Sequence, residues 1–210
     1  MLDSVKKLAI HGKAKTGKNT VAKLIQQYCD FDVYETAFAK PIKEELIKLF
    51  DINSEYLFGS SEKRQELFDE NLSYRELLIQ YGEFCKTIDP KIWIKKTEKD
   101  ILYNVYNVKY KQPKDIIIDQ QSLCLNTSFI PFDYKLIVIT DLRFKREFDW
   151  LKKQNFKLLK LTRKNNDYFN NDLSETELDE MADNLFDYHM DNDGNLDELA
   201  QKVRHLITIL

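Results

Sequence analysis

The chain has 210 residues, 43% of them hydrophobic and 32% charged, which is long enough to bury a full core and excludes a disordered polymer. With 5 Gly and 4 Pro, collagenous, repeat and linker-rich architectures are excluded as well. The formal net charge of -3 argues against nonspecific duplex binding, so no direct nucleic-acid partner is expected.

Leu8-Ala9-Ile10 is a short apolar run ending at a glycine loop, as expected of a buried parallel strand. After Lys18, the residues Val21, Leu24, Ile25 and Tyr28 fall at helical spacing. Asp32 to Ala39 reads as a second strand, and Pro41 suits the first turn of a helix reaching about Phe50. In the middle third, Tyr74, Leu77, Leu78, Tyr81, Phe84, Cys85 and Ile88 follow the i, i+3, i+4, i+7 pattern and predict one buried helical stripe. Pro90 starts a further helix that passes Trp93 towards Asn104.

From about 103 to 133 the pattern decays, and the stretch reads as an insertion whose one apolar run, Ile116-Ile117-Ile118, suits an edge strand. Leu136-Ile137-Val138-Ile139 is a continuous run typical of a central parallel strand. A helix from about Phe144 to Gln154 and a strand from Phe156 to Leu161 follow. The acidic stretch from about 164 to 193 reads as a flap or lid, and Leu196, Leu199, Ala200, Val203, Leu206 and Ile207 mark a terminal amphipathic helix. Strands alternating with helices predict an α/β fold with a mostly parallel, doubly wound sheet flanked by helices. The middle helices form a side lobe.

Cys29, Cys85 and Cys124 show no metal-binding spacing and read as three reduced thiols in a cytosol-like compartment. The opening MLDSVKKLAIHG has no signal-peptide apolar stretch, and no run approaches membrane-spanning length; a soluble, cytoplasmic protein without a membrane partner is expected. His11, His189 and His205 have no ligand spacing, and His11 is expected to pack beside the glycine loop. Asp191-Asn192-Asp193-Gly194 hints at a calcium loop, but that alignment puts Ala200 where the bidentate Glu belongs.

The chemistry is concentrated in Gly12-Lys13-Ala14-Lys15-Thr16-Gly17-Lys18, between a predicted strand and a predicted helix. Gly12 and Gly17 let the backbone curl so that successive N–H groups point at phosphate oxygens, and the helix adds its positive end. Lys18 can reach the β- and γ-phosphates of a nucleoside triphosphate. Asn19 follows, and the hydroxyl comes one step later at Thr20. That shift is similar to the GKxT loop of nucleoside monophosphate kinases, where the Thr serves the magnesium and phosphate region; the alternative is a Thr20 that back-bonds within its helix.

Further segments, in order, resemble the bacteriophage-type deoxynucleoside monophosphate kinases. They are Phe38-Ala39-Lys40-Pro41-Ile42-Lys43-Glu44, Leu77-Leu78-Ile79-Gln80-Tyr81-Gly82-Glu83, Ile88-Asp89-Pro90-Lys91-Ile92-Trp93, Thr140-Asp141-Leu142-Arg143-Phe144, Ser174-Glu175-Thr176-Glu177, and Phe186-Asp187-Tyr188 running into Asp191-Asn192. The family usually carries Asp where this chain has Asn19 and Lys40. The resemblance implies a single P-loop kinase domain, with a core of about 1–50 and 134–210, a helical acceptor lobe of about 51–102, and a lid. It implies transfer of the ATP γ-phosphate to a deoxynucleoside monophosphate with Mg2+, in a phage-like enzyme that is a homodimer by family expectation.

It also implies that Arg143 holds the acceptor phosphate, in keeping with its place just past a central strand; the alternative is an ion pair with Glu147, four residues on. Asp141 either orients a magnesium-bound water or N-caps the next helix. Arg163 either steadies the transferring phosphoryl group or is simply exposed. Phe38, Lys40, Arg75, Tyr81, Trp93 and Glu175 are the implied acceptor-side residues, with a core role as the alternative for Trp93 and Tyr81. Asn192 is an implied neighbour of adenine; otherwise it belongs to a turn before a final helix capped by Asn195 and Glu198. Two other functions stay open: a kinase for another phosphorylated acceptor, of the phosphomevalonate or dephospho-coenzyme A type, and a nucleotide-binding module without turnover.

Overall fold

A computed structural model describes residues 5–106, 134–164, 177–178 and 181–210. Glu175, Cys124, the run 116–118, most of the expected insertion and part of the expected lid lie outside these residues. The chain divides into two compact units, Met1–Thr36 with Asp100–Leu210, and Ala37–Lys99.

Among the described residues the first unit is built on five strands, β1 (Lys6–His11), β2 (Asp32–Thr36), β5 (Tyr134–Leu142), β6 (Lys157–Thr162) and β7 (Tyr188–Asp191), in the order β2-β5-β1-β6-β7. Every pairing is parallel. From β1 the chain runs through α1 (Lys18–Tyr28) to β2 on one side; from β5 it runs through α6 (Lys145–Lys153) to β6 on the other. Right-handed crossovers in opposite directions put α1 and α6 on opposite faces, so the sheet is doubly wound.

Alternate residues of the central strands pack against α1 and the last helix, α7 (Leu196–Ile209): Leu8 and Ile10, Leu136 and Val138, Leu159 and Leu161 meet Val21, Ile25, Leu199 and Val203. The intervening Ala9, Ile137, Ile139 and Leu158 are buried too, which is why these strands read as continuous apolar runs. Asn195 caps α7 by accepting the Glu198 N–H (3.0 Å), and the Arg204 guanidinium lies 4.2 Å from the centre of the Tyr28 ring.

The second unit holds α2 (Lys40–Phe50), α3 (Glu55–Phe58), a hairpin of β3 (Leu67–Asp69) and β4 (Leu72–Ser73), α4 (Tyr74–Ile88) and most of α5 (Ile92–Asn104). Its core is Leu46, Ile52, Leu57 and Leu77, ringed by Ile42, Tyr56, Phe68, Tyr74 and Tyr81. Ser73 and Glu76 form a capping box at α4: the Glu76 N–H donates to Ser73 Oγ (3.2 Å) and the Ser73 N–H to Glu76 Oε2 (2.8 Å).

Several expectations need correction. Residues 40–50 do not belong with the core of the sheet, because Ile42 and Leu46 of α2 pack with Leu57, Leu77 and Tyr81. The second strand stops at Thr36 rather than Ala39, where the chain turns into α2. The stripe on α4 is only partly buried: Leu77 and Cys85 are covered, whereas Phe84 is 61% and Ile88 72% exposed. The end of the expected lid, Tyr188–Asp191, is instead the fifth strand of the sheet. Among the described residues no helix is long and apolar enough to cross a membrane.

Candidate active site

The sheet organises the site. Parallel strands present their carboxyl ends together, and β1, β5, β6 and β7 end at His11, Leu142, Thr162 and Asp191. The phosphate loop, Asp141 with Arg143, Arg163, and Asn192 therefore gather at one edge of the first unit, where open α/β sheets bind ligands.

The loop is shaped by close approaches. A Cβ on Gly12 would stand 2.6 Å from the Leu161 carbonyl oxygen and 2.8 Å from Thr16 Oγ1, so only glycine lets the backbone pass β6. Lys15 takes a left-handed conformation (φ 62°), and Gly17, the N-cap of α1, another (φ 101°). Buried Thr16 closes the turn, with Oγ1 donating to the Lys13 carbonyl (2.9 Å). The Lys18 ammonium lies over the loop, donating to the carbonyls of Gly12 and Lys13, the latter at 2.8 Å. Among the described residues no side chain caps α1, and no acid stands in its first turn, which suits an anion-binding N-terminus. Asn19 is exposed and Thr20 half-buried in that turn.

His11 packs at the foot of the loop, as expected. Its Nδ1–H donates to the Leu142 carbonyl (3.0 Å), and its ring stacks on Phe186 with centroids 5.4 Å apart. A carbonyl partner requires the proton on Nδ1. The bond ties the ends of β1 and β5 beside a bulge, because Ala9 pairs with Ile139 but His11 pairs with Leu142. The extra residue falls on β5, where Thr140 and Asp141 together stand opposite Ile10.

Arg143 is half-buried between β5 and α6, and its backbone is held by Glu147. Glu147 Oε2 accepts the N–H groups of Arg143 (2.9 Å) and Phe144 (3.0 Å), so Glu147 satisfies the backbone at the N-cap of α6. Burial, reinforced by the Asp141 charge, pushes the Glu147 carboxyl up to about 8, against the opposing pull of the two N–H groups and the Arg143 charge. Neither Glu147 burial nor the clamp at Asn192 was marked by the local pattern. Arg163 is exposed, but its neighbours are fixed: the Thr162 carbonyl accepts the Asn192 N–H (2.8 Å), and the Lys164 N–H donates to Asp193 Oδ1 (2.5 Å). Asn192 Nδ2 donates to the Thr16 carbonyl (2.8 Å).

The other candidates lie in the second unit. Phe38 is buried, and Lys40 and Arg75 are half-buried at the starts of α2 and α4. Trp93 is buried in the manner of a core anchor, its Nε1–H donating to the Gly82 carbonyl (3.1 Å). The Tyr81 hydroxyl donates to Glu45 Oε2 (3.0 Å), while Lys96 holds Glu45 Oε1 (2.5 Å). Burial, then the Glu45 partnership, raises the Tyr81 phenol far above its ordinary range. Among the described residues no three His, Cys, Asp or Glu side chains cluster as metal ligands. Thr20 and Asp141 offer the hydroxyl and carboxylate oxygens that suit a hard cation retaining most of its waters.

A parallel doubly wound sheet whose first strand runs through this loop into α1 defines an α/β fold of the P-loop kinase type. No family model matches the sequence. The chain is 26% identical to the deoxynucleoside-5'-monophosphate kinase of Escherichia phage T5, over 70% of this chain and 72% of that protein. Among solved structures it is similar to a dephospho-CoA kinase from Campylobacter jejuni, with 12% identity, 98% of each chain covered and a TM-score of 0.46. Loop, fold and the phage relative together support a P-loop kinase.

Proposed function

We propose that the protein transfers the γ-phosphate of ATP to a deoxynucleoside monophosphate, giving ADP and a deoxynucleoside diphosphate. The observation that carries this reading is the pairing, at one sheet edge, of a phosphate loop bearing Lys18 with an arginine, Arg143, whose backbone a buried carboxylate holds. The phage relative supports the choice of acceptor.

Transfer is in line, without a covalent enzyme intermediate, because phosphoryl transfer asks for positioning and charge neutralisation more than for acid–base chemistry. The loop N–H groups and the α1 N-terminus hold the ATP phosphates. Lys18 neutralises charge on the leaving and transferring oxygens, and Arg143 grips the acceptor phosphate with its planar fork. Arg163 steadies the transferring group. Thr20 and Asp141 would hold Mg2+, which supplies charge neutralisation on the phosphates when bound. The acceptor is already an ionised phosphate, so no strong base is needed.

The test is coupled ADP release with dTMP, dGMP, dCMP and dAMP, beside dephospho-coenzyme A and phosphomevalonate. Base-dependent turnover on the deoxynucleotides supports the assignment. Turnover confined to the other acceptors replaces it, and ATP binding without turnover on any of them leaves a binding module.

A further inference from the structure

Asn192 follows β7, far along the chain from the phosphate loop, yet it is bonded to that loop's backbone. It is 9% exposed. Its own N–H donates to the Thr162 carbonyl at 2.8 Å, which fixes it to the end of β6, and its Nδ2 donates to the Thr16 carbonyl at 2.8 Å. A Cβ on Gly17 would meet that same Nδ2, so a side chain there would displace the amide in addition to straining the left-handed backbone.

The Thr16 carbonyl belongs to the same planar peptide as the Gly17 N–H. In a trans peptide these two groups point in opposite directions. Holding the carbonyl on Asn192 therefore fixes the Gly17 N–H, which points away from the Asn192 amide. An N–H so fixed needs no reorganisation when an anion arrives, and a pre-aimed donor contributes more than one that must be ordered on binding.

We propose that Asn192 is a positioning residue of the phosphate loop, aiming the Gly17 N–H at the triphosphate through the Thr16 carbonyl, rather than a contact of the adenine base. The inference rests on the loop's being the triphosphate cradle. It replaces the adenine contact implied by family resemblance with a role that is blind to the base.

Asn192→Leu keeps the branching of the side chain and removes the donor, and Asn192→Ala removes both. Calorimetric titration of each variant with ATP, GTP and inorganic tripolyphosphate separates the roles. A positioning residue gives about 5- to 30-fold weaker binding of all three, the loss of one hydrogen bond to the loop, with the preference between ATP and GTP unchanged. Weakened ATP with unchanged tripolyphosphate, or a lost preference between the bases, makes Asn192 a base contact and overturns the proposal; so does unchanged binding of all three. If the variants do not fold, the wild-type side-chain amide signal of Asn192 is followed by NMR. Slow solvent exchange and a shift with tripolyphosphate but not with adenosine support the proposal, and the reverse pattern overturns it. Wild-type protein that binds neither ATP nor tripolyphosphate removes the cradle itself, an outcome distinct from a variant without effect.

Discussion

Glu147 Oε2 accepts the backbone N–H of Arg143 at 2.9 Å from a position only 6% exposed. The bond makes a buried acid the anchor of a candidate phosphate-binding arginine, and the two residues share a consequence for stability. The unfolded chain releases the Glu147 proton near 4.5, whereas the folded protein keeps it to about 8. Between those values the folded state holds one proton more, so stability falls as pH rises and levels off above about 8. Glu147→Gln keeps an acceptor oxygen and removes the titration. Its stability relative to wild type should climb between pH 5 and 8 by up to roughly 3–5 kcal/mol, read from urea midpoints. Parallel curves for the two proteins would refute a raised Glu147.

Lys18→Ala should lower turnover by at least about 100-fold, since a pre-aimed cation on the transferring group is lost. The far-ultraviolet circular dichroism and melting temperature should stay close to wild type, because Lys18 lies outside the buried core and donates to carbonyls of the loop. Near-normal turnover in this variant would sink the kinase mechanism.

The glycines make a separate pair of expectations. Gly12→Ala sets a methyl 2.6 Å from the Leu161 carbonyl oxygen, a backbone atom that cannot yield without moving β6. Gly17→Ala forces an L side chain to φ 101°. Each should cost about 1–3 kcal/mol of stability and weaken ATP binding in parallel. Thermal unfolding and ATP titration on the same samples check this. A Gly12→Ala protein with unchanged values on both would mean that the loop does not lean on β6.

What the sequence made legible follows the range of the forces involved. β1, the loop, α1, β5 and α7 were readable because a buried parallel strand, a glycine turn and an amphipathic helix each leave a local pattern. The same patterns gave the spacing of α4 but not its covering. Periodicity says which residues share a face, and Phe84 and Ile88 share the face of Leu77 yet stand in solvent. The Asn192 amide and the Thr16 carbonyl meet across 176 residues, and nothing local to either announces the other. Glu147 was readable as a neighbour of Arg143 at helical spacing, which suggested an ion pair; the backbone bond needed the turn between β5 and α6 to bring the Arg143 N–H to the carboxylate.

Trp93 tests the boundary between core and site. Its Nε1–H donates to the Gly82 carbonyl inside α4, so Trp93→Phe removes that bond and leaves a smaller ring in a buried site, at a cost of about 1–3 kcal/mol. The melting temperature should fall while the Michaelis constant for the acceptor stays near wild type. A raised acceptor constant with an unchanged melting temperature would return Trp93 to the acceptor site.

Arg143 carries the acceptor assignment, and its substitutions separate charge from geometry. Arg143→Ala should raise the acceptor KM by about 10- to 100-fold, the loss of charge-assisted hydrogen bonds to one phosphate, and leave the ATP KM nearly unchanged. Arg143→Lys restores the charge without the planar fork and should recover only part of the loss. Glu147→Ala should follow the same pattern more weakly, because it loosens the Arg143 backbone without removing the guanidinium. If the ATP KM rises in Arg143→Ala while the acceptor KM does not, the arginine acts on the donor phosphates, and the acceptor must be held by other residues, with Lys40 and Arg75 the first to substitute.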